Sequence, residues 1–213
     1  TMDLILPLAN EYAEKNSSAT DALLQEIHAF TQENHAEPHM ISGPLQGNLL
    51  SMLSKMIKPK RILEIGTFTG YSAICLAKGL SSDGFLHTIE LRKEDADIAQ
   101  AYFDRSEHAH QIRVYVGNAM ELLPAMDESW DLVFIDADKT GYLNYYGLLI
   151  EKVKPGTFFI IDNVLFHGEV LKEKISGKNA KAVAAFNTFI RADDRVEKLM
   201  LTVRDGLSIL LKK

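Results

Sequence analysis

The chain has 213 residues, of which 46% are hydrophobic and 24% charged, a length and balance that fit one globular domain and exclude a disordered tail. Lys and Arg number 23 against 29 Asp and Glu, a net charge of -6, so the global basic excess that drives binding to nucleic acid or anionic membranes is absent. The single cysteine, Cys75, excludes a disulfide framework and points to a reducing compartment, expected to be the cytoplasm, with the thiol packed inside a helix.

No run reaches the roughly 18 apolar residues that span a bilayer, and the first residues lack the basic-then-apolar layout of a signal peptide. A single domain over 1–213 is expected, with an N-terminal helical appendage over 1–58 and an α/β core over 59–213. In the appendage, Leu23, Leu24, Ile27 and Phe30 recur at helical spacing behind the capping candidates Ser18 and Thr20. Leu49, Leu50, Leu53, Met56 and Ile57 do the same after Gly47, and the breaker-rich stretch 35–47 reads as the connection between them.

From residue 61 the pattern changes. Short β-branched or aromatic runs at 61–65, 85–90, 112–116, 132–136 and 157–162 alternate with helical stretches at 71–80, 93–105 and 140–153, the last stopped by Lys154, Pro155 and Gly156. Such alternation predicts a parallel sheet covered by helices on both faces. Residues 195–203 and 207–211 flank a turn at Arg204, Asp205 and Gly206, which predicts a closing hairpin.

In an open α/β sheet, ligands bind beyond the carboxyl ends of the strands, and that rule sorts the polar residues. The first strand runs into a glycine turn with Gly66 and Gly70, followed by Tyr71 and Ser72 at a helix start. Gly66 allows close backbone approach, and the free amides of the helix start attract a polar or anionic group. The spacing differs from the dinucleotide fingerprint, and taken alone the turn is equally a structural one. The second strand ends in Glu90, where a carboxylate can accept from both ribose hydroxyls of a nucleoside. Turn and carboxylate together suggest an adenosine-containing cofactor, and Ala119, after the third strand, stands where backbone can border an adenine.

The fourth strand ends at Asp136, followed by Asp138 and Lys139, and the fifth at Asp162 and Asn163. Two neighbouring strands thus deliver two carboxylates and an amide oxygen to one crevice. Hard oxygens without Cys or His favour Mg²⁺, Mn²⁺ or Ca²⁺, with Mg²⁺ the first choice, and leave positions for water or substrate. The plain alternative is that both acids cap the following helices. Lys139 sits at the rim, a general base if its ammonium is disfavoured beside a cation and a solvated lysine otherwise.

These blocks, residues 64–72, 134–139 and 161–163 in that order, resemble the cation-dependent S-adenosylmethionine O-methyltransferases that include the catechol and caffeoyl-CoA enzymes. The resemblance runs from about Met40 to the end. It implies the class I methyltransferase fold, a Rossmann-like seven-stranded sheet, mostly parallel with an antiparallel last strand, plus N-terminal helices. It also implies that Glu64, Gly66 and Ser72 contact the methionine part of the cofactor, Glu90 the ribose, and Asp138 the amino acid end. Tyr71, Ala119 and Asp136 complete that set, and the stretch before the first strand adds Met40, Ile41 and Ser42. Asp136, Asp162 and Asn163 would hold the metal, and Lys139 would be the base.

The chemistry is consistent with that assignment. A phenol ionises near pH 10 and is a poor nucleophile at neutral pH, so a cation chelated by two adjacent oxygens helps a nearby base to take the proton. A catechol-type small molecule is therefore the expected acceptor, with Met40, Lys139, Asn163 and Phe166 around it. Residues 164–168 read as a lid in which Leu165 and Phe166 pack on a ring, while His39 and His167 are expected at the surface or behind it. Lys172, Lys174, Lys178 and Lys181 form a basic stretch beyond the lid, read as a solvated helix face. The alternatives are a caffeoyl-CoA-like thioester, whose phosphate those lysines would meet, and a hydroxylated RNA base. No membrane partner is expected, nucleic acid is disfavoured by the charge, and the resemblance implies a homodimer.

Overall fold

The β-branched and aromatic runs become strands β1 (Arg61–Ile65), β2 (Phe85–Glu90), β3 (Ile112–Val116), β4 (Leu132–Ile135), β5 (Phe158–Asp162), β6 (Val196–Leu201) and β7 (Leu207–Lys212). The computed structural model describes residues 4–213. One seven-stranded sheet runs β3-β2-β1-β4-β5-β7-β6. Strands β1 to β5 pair in parallel, and β7 is antiparallel to both of its neighbours. This is the class I methyltransferase architecture that the resemblance implies. The chain builds outward from β1 to β3, then returns to add β4 on the other side. That reversal leaves a crevice between the carboxyl ends of β1 and β4.

Among the described residues, eight α-helices surround the sheet: α1 (Pro7–Lys15), α2 (Ala22–Asn34), α3 (Gly43–Ile57), α4 (Tyr71–Ala77), α5 (Lys93–Phe103), α6 (Ala119–Leu122), α7 (Tyr142–Ile150) and α8 (Lys178–Ala192). Side chains alternate across each strand. Leu63, Val133, Ile135 and Phe159 therefore face Tyr146 of α7 and Phe186 of α8 on one side. Ile62, Leu132, Phe134 and Ile160 share the other cluster with Leu24, Ile27, Leu50, Ile74 and Phe103. The N-terminal helices α2 and α3 thus bury their apolar stripes in the same core as the strands. Cys75 is buried, and burial pushes its thiol up to about 12, which leaves it unreactive.

Several boundaries differ from the sequence expectation. Asp21, rather than Ser18 or Thr20, caps α2, its Oδ1 accepting from Leu24 N at 2.9 Å. The expected connection 35–47 is shorter, because Pro44 sits in the first turn of α3 and that helix starts at Gly43. Gly47 consequently lies inside α3, where a Cβ would come within 2.7 Å of the Tyr71 ring and 2.9 Å of Cys75 Sγ. The helix expected over 140–153 divides into a 3₁₀ turn, Lys139–Gly141, and α7. Helix α1 has no counterpart in the sequence reading and buries no residue. No helix among the described residues is long and apolar enough to cross a membrane.

Candidate active site

A cavity of about 860 Å³ opens over the carboxyl ends of β1, β2, β4 and β5. Its walls include the turn after β1, the ends of β2 and β3, the residues after β4 and β5, the stretch 39–42 and the turn between β6 and β7. Six non-glycine residues among those described have left-handed backbones: Lys58, Phe68, Asn163, Phe166, His167 and Arg204. All but Lys58 line this cavity. Such conformations cost stability and persist where surrounding contacts over-determine them, as at functional sites.

At one end, Glu90 organises the turn after β1. Its Oε2 accepts from the backbone N–H of Thr67 at 3.1 Å and of Phe68 at 2.8 Å, and its Oε1 from that of Arg92 at 3.0 Å. Glu90 therefore shapes the turn as well as facing the cavity. Glu90→Ala leaves these amides without an acceptor and is expected to lower unfolding free energy by about 3 kcal/mol. Urea denaturation measures this, and an unchanged midpoint would mean that water replaces the carboxylate freely. Arg92 adds a fastening to the 3₁₀ turn before Met40, donating to Glu37 Oε2 at 2.8 Å.

Glu64 takes a different place from the one expected for a contact residue. It is fully buried beneath the cavity and does not line it. Its Oε1 accepts from Ser72 Oγ at 2.6 Å and its Oε2 from Thr88 Oγ1 at 2.5 Å. Burial, reinforced by the nearby Asp136 and Glu90 charges, pushes the Glu64 carboxyl up to about 8 despite those hydrogen bonds. Gly66, Tyr71 and Ser72 do line the cavity. The Tyr71 ring itself packs against Gly47 and His28, and its hydroxyl is buried without a partner.

At the other end stand Asp136, Lys139, Asp162 and Asn163, all lining the cavity. Lys139 Nζ donates to Asp136 Oδ1 at 2.9 Å, to Asn163 Oδ1 at 2.7 Å and to the Tyr142 hydroxyl at 2.8 Å. Tyr142, fully buried, donates its hydroxyl hydrogen bond to the carbonyl of Asp162 at 2.9 Å. Asp162 is held from two sides, Oδ2 accepting from Gln46 Nε2 at 2.5 Å and Oδ1 from Asn163 N at 2.6 Å. Burial and the Asp136 charge push its carboxyl up to about 7. For Lys139, burial alone would favour the neutral amine, but the Asp136 carboxylate and the Tyr142 hydroxyl outweigh it, so its pKa is raised. The group is an ammonium in this arrangement.

Oxygen atoms thus already surround a positive charge here. Among the described residues, no three His, Cys, Asp or Glu side chains gather into a metal cage. Two carboxylates and an amide oxygen are the donors on offer, a hard and incomplete set that fits Mg²⁺ or Mn²⁺ with water or substrate filling the remainder.

The remaining expected residues also border the cavity. Ala119 lies at the start of α6, where Asn118 caps the helix through Met120 N at 2.9 Å. Asp138 is hydrogen-bonded by the hydroxyls of Tyr145 and Thr140. Met40 is exposed, Ile41 and Ser42 are buried, and Phe166 and His167 line the same cavity. The sequence reading did not single out Gln46, Tyr142, Tyr145, Arg204 or Asp205. Arg204 Nη1 donates to the carbonyls of Ile41, at 2.9 Å, and of Ser42. Only the Asp-Gly turn after β6 marked that region, and it was readable as a turn alone.

Residues 14–213 match the O-methyltransferase family. The catechol O-methyltransferase of Niastella koreensis is 32% identical over 202 residues, covering 91% of this chain and 90% of that protein. The caffeoyl-CoA O-methyltransferase of Stellaria longipes is 34% identical over 196 residues, covering 87% and 81%. An SAH-bound methyltransferase from Podospora anserina superposes with a TM-score of 0.89 at 26% identity, covering 98% of both chains. The agreement runs through the appendage and the sheet alike, and on it the chain belongs to the O-methyltransferase family, enzymes that move a methyl group from S-adenosylmethionine to an oxygen.

Proposed function

We propose that the cavity binds S-adenosylmethionine together with a divalent cation and methylates one hydroxyl of a catechol-type small molecule. The observation that carries this reading is the convergence of Asp136 and Asn163 on Lys139 Nζ, each within hydrogen-bonding distance of it, in a cavity that Glu90 and Asp138 also line. An acidic lining suits a donor that carries a sulfonium and an ammonium. Glu90 takes the ribose, Gly66, Ser72, Ile41, Ser42 and Asp138 surround the methionine end, and Ala119 borders the adenine. Glu64 supports Ser72 from below, and Tyr71 contributes through the helix start.

Asp136, Asp162 and Asn163 would hold the cation. When bound, a divalent ion supplies the positive charge that makes a phenol hydroxyl acidic at neutral pH and orients two neighbouring hydroxyls. With the Asp136 charge engaged by the cation, Lys139 Nζ would lose a proton to solvent, and the neutral amine would then take the proton of the reacting hydroxyl. That oxygen then forms a bond to the methyl carbon as the carbon–sulfur bond breaks, and S-adenosylhomocysteine is left as product. Met40 and Phe166 flank the acceptor ring, keep water out and hold donor and acceptor in line. No covalent enzyme intermediate is needed.

A caffeoyl-CoA-like thioester is a second reading, favoured by Asn179 on the cavity wall and by exposed Lys178 and Lys181 on the same helix. The homodimer, the cytoplasmic location and the division at residue 58 belong to the same proposal. Incubation with labelled methyl donor, Mg²⁺, a panel of catechols and a CoA thioester tests it directly. A chelator is expected to lower catechol methylation by at least about 10²-fold, with recovery on adding Mg²⁺ back. Turnover that survives complete metal removal would refute the cation's part in it.

A further inference from the structure

We infer that the turn between β6 and β7 belongs to the site, and that Asp205 is a positioning residue that sets which end of the Asn163 amide faces the cation position. An asparagine side chain offers an oxygen at one end and an N–H donor at the other, and only the oxygen can ligate a cation. Asn163 Nδ2 donates to Asp205 Oδ2 at 3.2 Å, across 42 residues of sequence. A carboxylate only accepts, so this contact fixes the amide with Oδ1 turned toward Lys139 Nζ, which also donates to Asp136. Lys139 Nζ, which can only donate, favours the same orientation from the other end, so Asp205 is the restraint that remains when Oδ1 turns from Lys139 to a cation.

The same carboxylate holds the lid. Asp205 Oδ1 accepts from His167 N at 2.5 Å, and its backbone carbonyl accepts from Leu165 N at 2.9 Å. Asn163, Phe166 and His167 are all left-handed, conformations that need such outside support. One side chain therefore couples the oxygen donor to the strained segment beside the acceptor. Its neighbour Arg204 follows the same logic on the other wall. Arg204 Nη1 reaches Gln46 Oε1 at 3.5 Å, which leaves Gln46 Nε2 to donate to Asp162 Oδ2. Two successive turn residues thus orient two amides that face the candidate cation donors. Outer partners of this kind typically govern metal affinity by about 10–100-fold.

This inference rests on the reading of Asn163 as a cation ligand, and its test separates the two. Mn²⁺ affinity is measured by electron paramagnetic resonance on the intact protein and on variants. Asp205→Ala is expected to weaken Mn²⁺ binding by about 10-fold or more, and to speed hydrogen exchange of the His167 amide in the metal-free protein. Asp205→Asn, which keeps the size and one acceptor, serves if the alanine variant does not fold, and should lie between. Asn163→Asp alone sets two carboxylates against each other. Combining it with Asp205→Asn restores a donor–acceptor pair, and Mn²⁺ affinity should recover. A residue that merely stabilises the turn would show no such rescue. If Asn163→Ala weakens Mn²⁺ binding while both Asp205 variants leave it unchanged, the positioning role is overturned and the ligand assignment stands. If Asn163→Ala also leaves it unchanged, both fall.

Discussion

Replacing Lys139 with alanine should lower methylation of a catechol by about 10²–10⁴-fold, the usual contribution of a positioned general base. Affinity for S-adenosylhomocysteine should change little. The expectation follows from where the ammonium sits. Lys139 Nζ lies within 3 Å of Asp136 Oδ1, Asn163 Oδ1 and the Tyr142 hydroxyl, so it occupies space beside the very oxygens that would hold a cation. Its removal takes away the base and also a competing positive charge. Mn²⁺ binding in Lys139→Ala is therefore expected to be unchanged or tighter while turnover collapses, a split that general unfolding would not produce. Lys139→Arg should fail to rescue, since a guanidinium keeps its proton at any workable pH. Unchanged turnover in the alanine variant would remove Lys139 from the role of base.

The largest effect on folding is expected at Gly66. Its backbone has φ of +100°, and a Cβ there would lie 1.9 Å from the carbonyl oxygen of Asp136 and 2.7 Å from its carbonyl carbon. Both obstacles are main chain of the adjacent strand's end, held by Asp136 N donating to Ile65 O at 2.9 Å. No side-chain rotation relieves the contact. Gly66→Ala must therefore part the ends of β1 and β4, where donor and cation would meet. A loss of at least about 3 kcal/mol is expected, since left-handed strain and a backbone clash combine. Urea unfolding and S-adenosylhomocysteine titration measure the two consequences. Near-normal stability would show that the turn can relax without disturbing Asp136.

The five parallel strands were legible because each is a short run rich in β-branched or aromatic residues, and the polar groups at or just past the ends of β2, β4 and β5 fell together as the sheet rule requires. Asp136 and Asp162 are visible as acids that close apolar runs, and Lys139 and Asn163 stand close to them in sequence. The less legible partners approach from a distance. Gln46 reaches Asp162 from 116 residues away, and Asp205 reaches Asn163 from 42. No local pattern encodes either meeting. Helix α1 escaped for the opposite reason: Leu8 and Tyr12 stand at helical spacing but remain exposed, and one such pair in 9 residues is too short a pattern to stand out. Gly43 and Pro44 look like breakers in isolation, yet proline's fixed φ suits a helix's first turn. Glu64 shows a subtler limit, since position in a motif does not say whether a side chain meets the ligand or props up a neighbour that does.

The place of β7 between β5 and β6 sets an order of assembly. On a ribosome, β5 emerges long before the strand that will cover its outer edge, because β7 is later in the chain than both of its neighbours. Asp162 pairs with Leu207 at the first position of that final strand. Strands β1 to β5 can form their ladder early, while the acidic crevice stays open on one flank until β7 slides into the gap. A nascent chain that stalls before Leu207 would hold most of the fold with an unpaired β5 edge, a ready template for association with another chain. Pulse-labelled truncations ending between β6 and β7 are therefore where aggregation should concentrate.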